Sequence, residues 1–345
     1  MSNDIQDQSK VIDIIFGRWR SQILHAGVKL NVFESIGESK SAAELAAKVD
    51  ADPNLLYRLL RALASLGFLT ESSEHRFSMS SMGEFLRSDH PHSLRAMILL
   101  EEGPVHYAAW KHLPELIREG AQDGFSREVG KPWVEYLQED STYAGIFQDA
   151  MSSYSSTEAS AVCDALRQLE FPLDDVHYCD VGGGDGYLLA QILKSNTHAT
   201  GVVFDLPEVA TQTMRHMTRG ADLQDRVRHV GGNMFESVPD GANIYLMKHI
   251  IHDWNDAECE QILKSIRRAA RDNCKLIICE MLIPRHDLSH FSKIFDIHML
   301  CASSGRQRTV TEISEMLENS GWEFSLEAPV SNTPLSLIVA TPAPH

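Results

Sequence analysis

From His177 onward the sequence alternates short β-rich runs with amphipathic helical stretches, and no other feature narrows the possible folds as far. The β-rich runs are HYCDV, ATGVVFDL, RVRHVGG, ANIYLMK and CKLIICEML, and the helical ones include YLLAQILKS, PEVATQTMRHM and DAECEQILKSIRRAA. Alternation of this kind predicts a doubly wound, Rossmann-like α/β sheet with ligands at the carboxyl ends of its strands. The closing stretch WEFSLEAPVSNTPLSLIVATP holds two strands with no helix between them, so an antiparallel hairpin is expected at the sheet edge.

The first strand runs into DVGGGDG, where Gly182, Gly183, Gly184 and Gly186 let the backbone turn tightly and approach a ligand without Cβ interference. The next strand ends at Asp205, nineteen residues beyond Gly186, where a carboxylate can accept hydrogen bonds from both ribose hydroxyls. The glycine spacing is GxGxG rather than the dinucleotide GxGxxG, and the acidic Asp185 opens the helix. A carboxylate there suits the ammonium and sulfonium of S-adenosylmethionine better than a pyrophosphate; NAD and a purely structural turn are the alternatives. The third strand leads to Asn233, Met234 and Phe235, an amide to meet an adenine edge and an apolar pair that can cover its face or equally belong to the core. The fourth ends in LMKHIIHDWND, with Lys248 and His252 on one side if the chain turns helical. A histidine beside a donor pocket is a candidate base, though a structural role is as open to it. The fifth strand delivers Glu280 to the same edge, where a carboxylate can fix the imidazole tautomer.

The N-terminal half reads differently. Val11, Ile14, Ile15, Trp19, Ile23, Leu24, Val28 and Leu30 mark an apolar helix from Lys10 to Phe33 that is expected to break near Gly27. Ser41 with Glu44 forms a capping-box start, Asp52-Pro53 opens a second helix that Gly67 can stop, and GFLTESSEHRFSMS reads as two short strands. This is a winged-helix arrangement. Arg58, Arg61 and Arg76 raise DNA binding as an alternative, but the same helix carries Leu55, Leu56, Leu59, Leu60 and Leu63, which favours packing or dimerisation. Helical stretches continue from Pro91 to Tyr154 around GAQDGFSREVGKP, read as a loop. The expected division is 1–95 as a winged-helix-like domain and 96–345 as the catalytic domain, with 96–175 a helical connection contributing to the acceptor pocket.

Thirty-one Lys+Arg against forty-eight Asp+Glu give a net charge of -17, which repels nucleic acid and acidic membranes and suits a small uncharged or cationic ligand. The six cysteines form no CxxC pair and read as buried thiols, and no metal is expected. With no secretory or membrane-spanning pattern, a cytoplasmic location is expected.

The motifs DVGGGDG (180–186), FDLP (204–207), GGNMF (231–235), MKHIIHDW (247–254), ICEMLIP (278–284) and RTVTE (308–312) resemble those of the plant caffeate-type and bacterial antibiotic-tailoring O-methyltransferases. These are S-adenosylmethionine-dependent enzymes that act on small aromatic hydroxyls and release S-adenosylhomocysteine, and the resemblance covers nearly the whole chain. It implies that Gly182 and Gly184 approach the donor, Asp205 binds its ribose, Asn233 and Met234 meet adenine, and Lys248 lies near the donor. His252 becomes the general base, Glu280 one of two glutamates bracketing it, and Phe147, Met151, His249 and Met299 line the acceptor pocket. It also implies a homodimer interlocked through the N-terminal domain. Two positions depart from the family pattern: Asn233 stands where an aspartate is usual, and Gln307 replaces the second bracketing glutamate. Gln307 can hydrogen-bond His252 without stabilising its charged form as a carboxylate would. The alternatives are methylation of a ring nitrogen or altered chemistry on the same fold and, in a different class, a ligand-responsive DNA-binding protein.

Overall fold

The computed structural model describes residues 2–169, 175–210, 223 and 225–344. They form two compact units, Met1–Tyr107 with Asp140–Ser153, and Ala108–Glu139 with Tyr154–His345.

In the first unit the opening apolar stretch forms two helices, α1 (Ser2–Ile15) and α2 (Gly17–Lys29). The break falls at Phe16 rather than near Gly27. Gly27 lies inside α2, where a Cβ would come within 2.9 Å of Leu63 and 3.2 Å of Phe33, so its missing side chain serves close packing and not helix termination. After β1 (Lys40–Ser41), the Ser41–Glu44 capping box starts α3 (Ala42–Val49) as expected. Asp52 accepts from the N–H groups of Asn54 and Leu55 at the start of α4 (Pro53–Ser65), and Gly67 takes the left-handed conformation (φ 86°) just past its end. Strands β2 (Leu69–Glu71) and β3 (Arg76–Met79) complete a small sheet in the order β1-β3-β2. Val28, Phe33, Leu45, Leu60, Leu63 and Phe77 are its buried centre, while Ile5, Val11, Ile14, Ile15 and Trp19 stand exposed.

Helix α5 (Ser141–Gln168) begins in the first unit and ends in the second. The second unit holds the expected sheet, built from β4 (His177–Val181), β5 (Thr200–Asp205), β6 (Val227–Gly231), β7 (Ile244–Lys248), β8 (Lys275–Glu280), β9 (Trp322–Pro329) and β10 (Ser336–Pro342). Their order is β6-β5-β4-β7-β8-β10-β9. The five strands from β4 to β8 pair in parallel, and β10 runs antiparallel to both β8 and β9, which is the predicted hairpin. Strand order reverses at β4, with β5 on one side and β7 on the other, so the loops after β4 and β7 open at the topological switch point.

Alternate residues of β4 supply opposite faces, Tyr178 to one core with Leu189, Leu246 and Ile277, and Cys179 and Val181 to the other with Ile262, Leu276 and Trp322. Helices α6 (Tyr187–Ser195), α7 (Asp256–Ala269), α8 (Ser292–Ala302) and α9 (Val310–Glu318) follow their strands. Of PEVATQTMRHM only 207–210 fall among the described residues. The stretch read as a polar loop contains a helix, Gly124–Val129, because Phe125 is buried there and Arg127 bridges Glu119 and Asp123 at 2.6 Å each. The six cysteines are free and buried. Among the described residues no helix is long and apolar enough to cross a membrane.

Candidate active site

The glycine loop leaves β4 with Gly182, Gly184 and Gly186 all at positive φ (71°, 56° and 73°), a conformation that side chains resist. Gly183 lies so close to Asp180 that a Cβ would sit 2.8 Å from its Oδ2, whereas the flank of Gly184 is open, with nothing within 4 Å. At the end of β5, Asp205 Oδ2 accepts from Gly184 N–H at 2.8 Å and Oδ1 from Leu206 N–H at 2.7 Å. Those two bonds tie the loop to the strand. A carboxylate offers about four acceptor positions, so two remain, which fits a ribose diol beside an open backbone. Beneath the loop, Asp180 is buried and its carboxyl is pushed up to about 7 by desolvation, with Lys248 opposing and Asp205 and Asp185 adding to the rise.

The Asn233 side chain is engaged locally after β6: its Oδ1 accepts from Phe235 N–H at 3.0 Å and its Nδ2 donates to Glu236 at 3.0 Å. Met234 and Phe235 pack half-buried on the sheet core, and Phe235 meets Trp254 edge to face with ring centres 4.8 Å apart.

After β7 the chain does not run directly into a helix. His249 adopts a left-handed conformation (φ 57°), and a single 3-10 turn, Ile251–Asp253, follows. Lys248 and His252 consequently find different carboxylates. Lys248 Nζ and His249 Nε2 lie 3.0 and 2.9 Å from Glu158 Oε2 on α5. Burial raises the Glu158 carboxyl, but His249 and Lys248 on its Oε2 outweigh it and hold it at about 2. Glu280, at the end of β8, lies 2.8 Å by Oε2 from His252 Nδ1 and accepts from Ile250 N–H at 3.1 Å by Oε1. His252 Nε2 faces Asp253 Oδ1 at 3.6 Å. Desolvation disfavours the imidazolium, yet Glu280 and Asp253 together lift His252 to about 9, and Asp253 itself is pushed up to about 6 by burial. His249 is shifted the other way, below its ordinary value, by burial and by Lys248. An aromatic row lies beside His252: Phe295 meets it edge to face at 5.4 Å, His298 follows at 5.4 Å, and Trp110 at 6.1 Å.

The turn carrying His252 is held from behind. Arg308, fully buried, donates from Nη1 to Ile251 O at 2.7 Å and from Nη2 to Trp254 O at 2.8 Å, and is anchored by Asp256 at 2.7 Å. A Cβ on Gly305 would collide with His252 O and the Asp253 backbone. Gln307, between these two residues, receives its backbone tether from Asp296, but its side-chain Nε2 is buried and bonds nothing among the described residues; the expected bond to His252 is not made. Met299 is buried on α8 in the second unit, and Phe147 and Met151 lie on the part of α5 that belongs to the first.

Glu158, Asp253 and Arg308 are site residues that the sequence reading did not assign. Asp253 and Arg308 stood inside the quoted motifs MKHIIHDW and RTVTE, whereas Glu158, ninety residues before Lys248, had no local signal.

Two family models match the chain, an O-methyltransferase domain over residues 110–323 and an O-methyltransferase dimerisation domain over residues 12–89. The O-demethylpuromycin-O-methyltransferase of Streptomyces alboniger is 33% identical, covering 97% of this chain and 89% of its own. A phenazine O-methyltransferase of Lysobacter antibioticus is 32% identical over 97% of this chain and 96% of its own. Among solved structures, that of LaPhzM superimposes with a TM-score of 0.91 at 31% identity, covering 97% of this chain and 99% of that one.

Proposed function

The chain belongs to the O-methyltransferase family, and from that premise we propose that His252 is the general base that takes the proton of an aromatic hydroxyl. The protein is an S-adenosylmethionine-dependent O-methyltransferase acting on small aromatic acceptors. The observation that carries the proposal is the 2.8 Å contact between Glu280 Oε2 and His252 Nδ1. A carboxylate there keeps a proton on Nδ1, so the lone pair of the base form lies on Nε2; since Glu280 and Asp253 lift His252 to about 9, that base form, and with it the transfer rate, rises with pH toward that value.

Bound S-adenosylmethionine supplies an electrophilic methyl group. The remaining tasks fall to the chain. Gly182 and Gly184 give backbone access and the free acceptor positions of Asp205 take the ribose hydroxyls; Asn233, Met234 and Phe235 serve the adenine, with the amide limited to what its local bonds leave. Lys248, fixed by Glu158, closes the charged side of the donor site. His249 and Met299 are assigned to the acceptor, and so is Gln307, whose buried Nε2 bonds nothing among the described residues. Most of the rate comes from holding the two reactants together in a dry site. The aromatic row beside His252 and the phenazine and puromycin relatives support a planar, fused or substituted aromatic acceptor. We assign residues 1–95 to a homodimer interface, the apolar exposure of α1 and α2 being its support.

The test is transfer from methyl-labelled S-adenosylmethionine to a panel of phenols, hydroxybenzoates, hydroxyquinones and hydroxyphenazines, with product mass and methyl position read out. His252→Ala is expected to leave the donor-induced rise in melting temperature intact and to cut transfer about 10²-fold or more. Undiminished turnover would reduce the mechanism to proximity alone, and a methyl on nitrogen would replace the hydroxyl reading.

A further inference from the structure

Three side chains at the carboxyl ends of β7 and β8 point their ligating atoms at one another. One such atom from each of His249, His252 and Glu280 lies within 4.8 Å of the other two. Glu280 Oε2 is the middle member, 2.8 Å from His252 Nδ1 and 4.0 Å from His249 Nδ1. The state of His249 follows from its other nitrogen. Glu158 receives Lys248 Nζ and His249 Nε2 on the same oxygen, so it accepts from both, and a neutral His249 that donates from Nε2 keeps a lone pair on Nδ1. That Nδ1 is buried and has no hydrogen-bond partner among the described residues. A buried acceptor left unsatisfied is costly unless something fills it.

We propose that His249 Nδ1, Glu280 Oε2 and His252 Nδ1 form an inhibitory site for a divalent first-row transition ion, zinc before others. Bonds of about 2.0–2.2 Å in tetrahedral geometry separate ligand atoms by roughly 3.3–3.6 Å, and the observed 2.8 and 4.0 Å bracket that span. Two imidazoles and one carboxylate select zinc, cobalt or nickel over magnesium and calcium, which prefer oxygen. Each histidine also carries a carboxylate on its outward nitrogen, Glu158 at 2.9 Å from His249 and Asp253 at 3.6 Å from His252. That is the outer arrangement that orients metal-bound imidazoles. The charged groups around the three ligands are the carboxylates of Glu158 and Asp253, on the far nitrogens of the histidines, and the ammonium of Lys248 on Glu158.

Inhibition follows from the tautomer and rests on the general-base reading; binding of the ion does not. The ion takes the place of the proton on His252 Nδ1, which leaves to solvent. From the base form, whose single proton sits on Nδ1, solvent returns one proton to Nε2, so the metal-bound imidazole stays neutral and that nitrogen donates, with no lone pair to accept the acceptor's proton. The ion therefore opposes the transfer rather than serving it.

Cobalt(II) added to chelator-treated, full-length protein reads the site without any need for activity. One ion per chain with the intense visible bands of tetrahedral nitrogen and oxygen ligation is expected, lost in His249→Asn and weakened about 10- to 100-fold in Glu158→Gln. No band at excess cobalt, a thiolate charge-transfer band, or wild-type affinity in His249→Asn would each overturn the site; should His249→Asn fail to fold, unchanged affinity in Glu158→Gln does so. In the transfer assay, zinc is expected to abolish product in proportion to occupancy, with recovery on chelation and an unaltered donor-induced melting shift. Full occupancy with undiminished transfer would overturn the inhibition. A protein that binds cobalt but transfers no methyl to any acceptor, with or without zinc, would instead defeat the general-base reading.

Discussion

At the scale of single residues, two glycines and one histidine decide the geometry around the proposed base. Gly183 lets the glycine loop lie on Asp180, and Gly305 lets the segment before Arg308 press against the backbone of His252. Gly305→Ala should therefore push the base turn outward, at a stability cost of about 1–3 kcal/mol typical of overpacking. Methyl transfer is expected to fall well beyond what the lowered melting temperature explains, while the donor-induced melting shift persists; normal turnover in a folded Gly305→Ala protein would remove the steric argument. His249 holds its left-handed backbone against the preference of a residue with a Cβ, and its imidazole is secured by Glu158. Much at this scale was legible. That Gly182, Gly184, Asp205, His252 and Glu280 lie at one sheet edge could be read because a strand followed by a turn puts the next residues there, and local spacing carries that information. Glu158 was not, because a helix residue that reaches across to a strand end ninety positions later leaves no periodicity or motif behind. Gln307 was placed near the base by motif, but its side-chain bonding depends on rotamers that sequence does not specify.

At the scale of elements, the segment from Gly305 to the start of α9 works as a brace. Arg306 and Arg308 share Asp256 at the start of α7, and Arg306 also reaches Glu312 in the first turn of α9, at 2.6 Å. Burial raises both carboxyls, but the guanidinium bonds, joined at Glu312 by the Thr309 capping box, hold them below the ordinary carboxylate range. A depressed folded-state pKa contributes stability that is present above the unfolded value, about 4, and is lost as pH falls below it. The melting temperature should thus drop on acidification from pH 5 to pH 3, and less steeply in Arg306→Gln; identical slopes would show that other carboxylates govern acid unfolding. Element identities were legible where chemistry is local: the Ser41–Glu44 capping box, the short β-rich runs of the buried parallel strands, and the closing hairpin. The reading failed where tertiary packing overrode local signals. Gly27 looked like a helix breaker but is a contact point for Leu63, and a polar stretch became the helix Gly124–Val129 once Phe125 had a core to enter.

At the scale of the whole molecule, the acidic balance and the apolar stripe of α1 and α2 act in different ways. Net charge of -17 keeps chains apart at long range, whereas Ile14, Trp19 and Ile5, each more than 60% exposed, are apolar surface that an isolated chain leaves in water. Sedimentation is expected to give a dimer that strengthens with salt, and Ile14→Asp should shift it toward monomer; a monomeric wild type at high salt would sink the assignment of residues 1–95.

The first unit is also discontinuous along the chain, since Asp140–Ser153 belongs with residues up to Tyr107, and the buried His106 meets Tyr143 across that gap at 2.7 Å. On the ribosome this imposes an order of events. Forty-six residues separate Tyr107 from Ser153 (153 − 107), which at roughly 5–20 residues per second is a delay of about 2–9 s. For that interval the nascent N-terminal unit waits, incomplete, with its apolar helices already in the open, and so the moment of greatest need for a chaperone comes midway through translation rather than at its end.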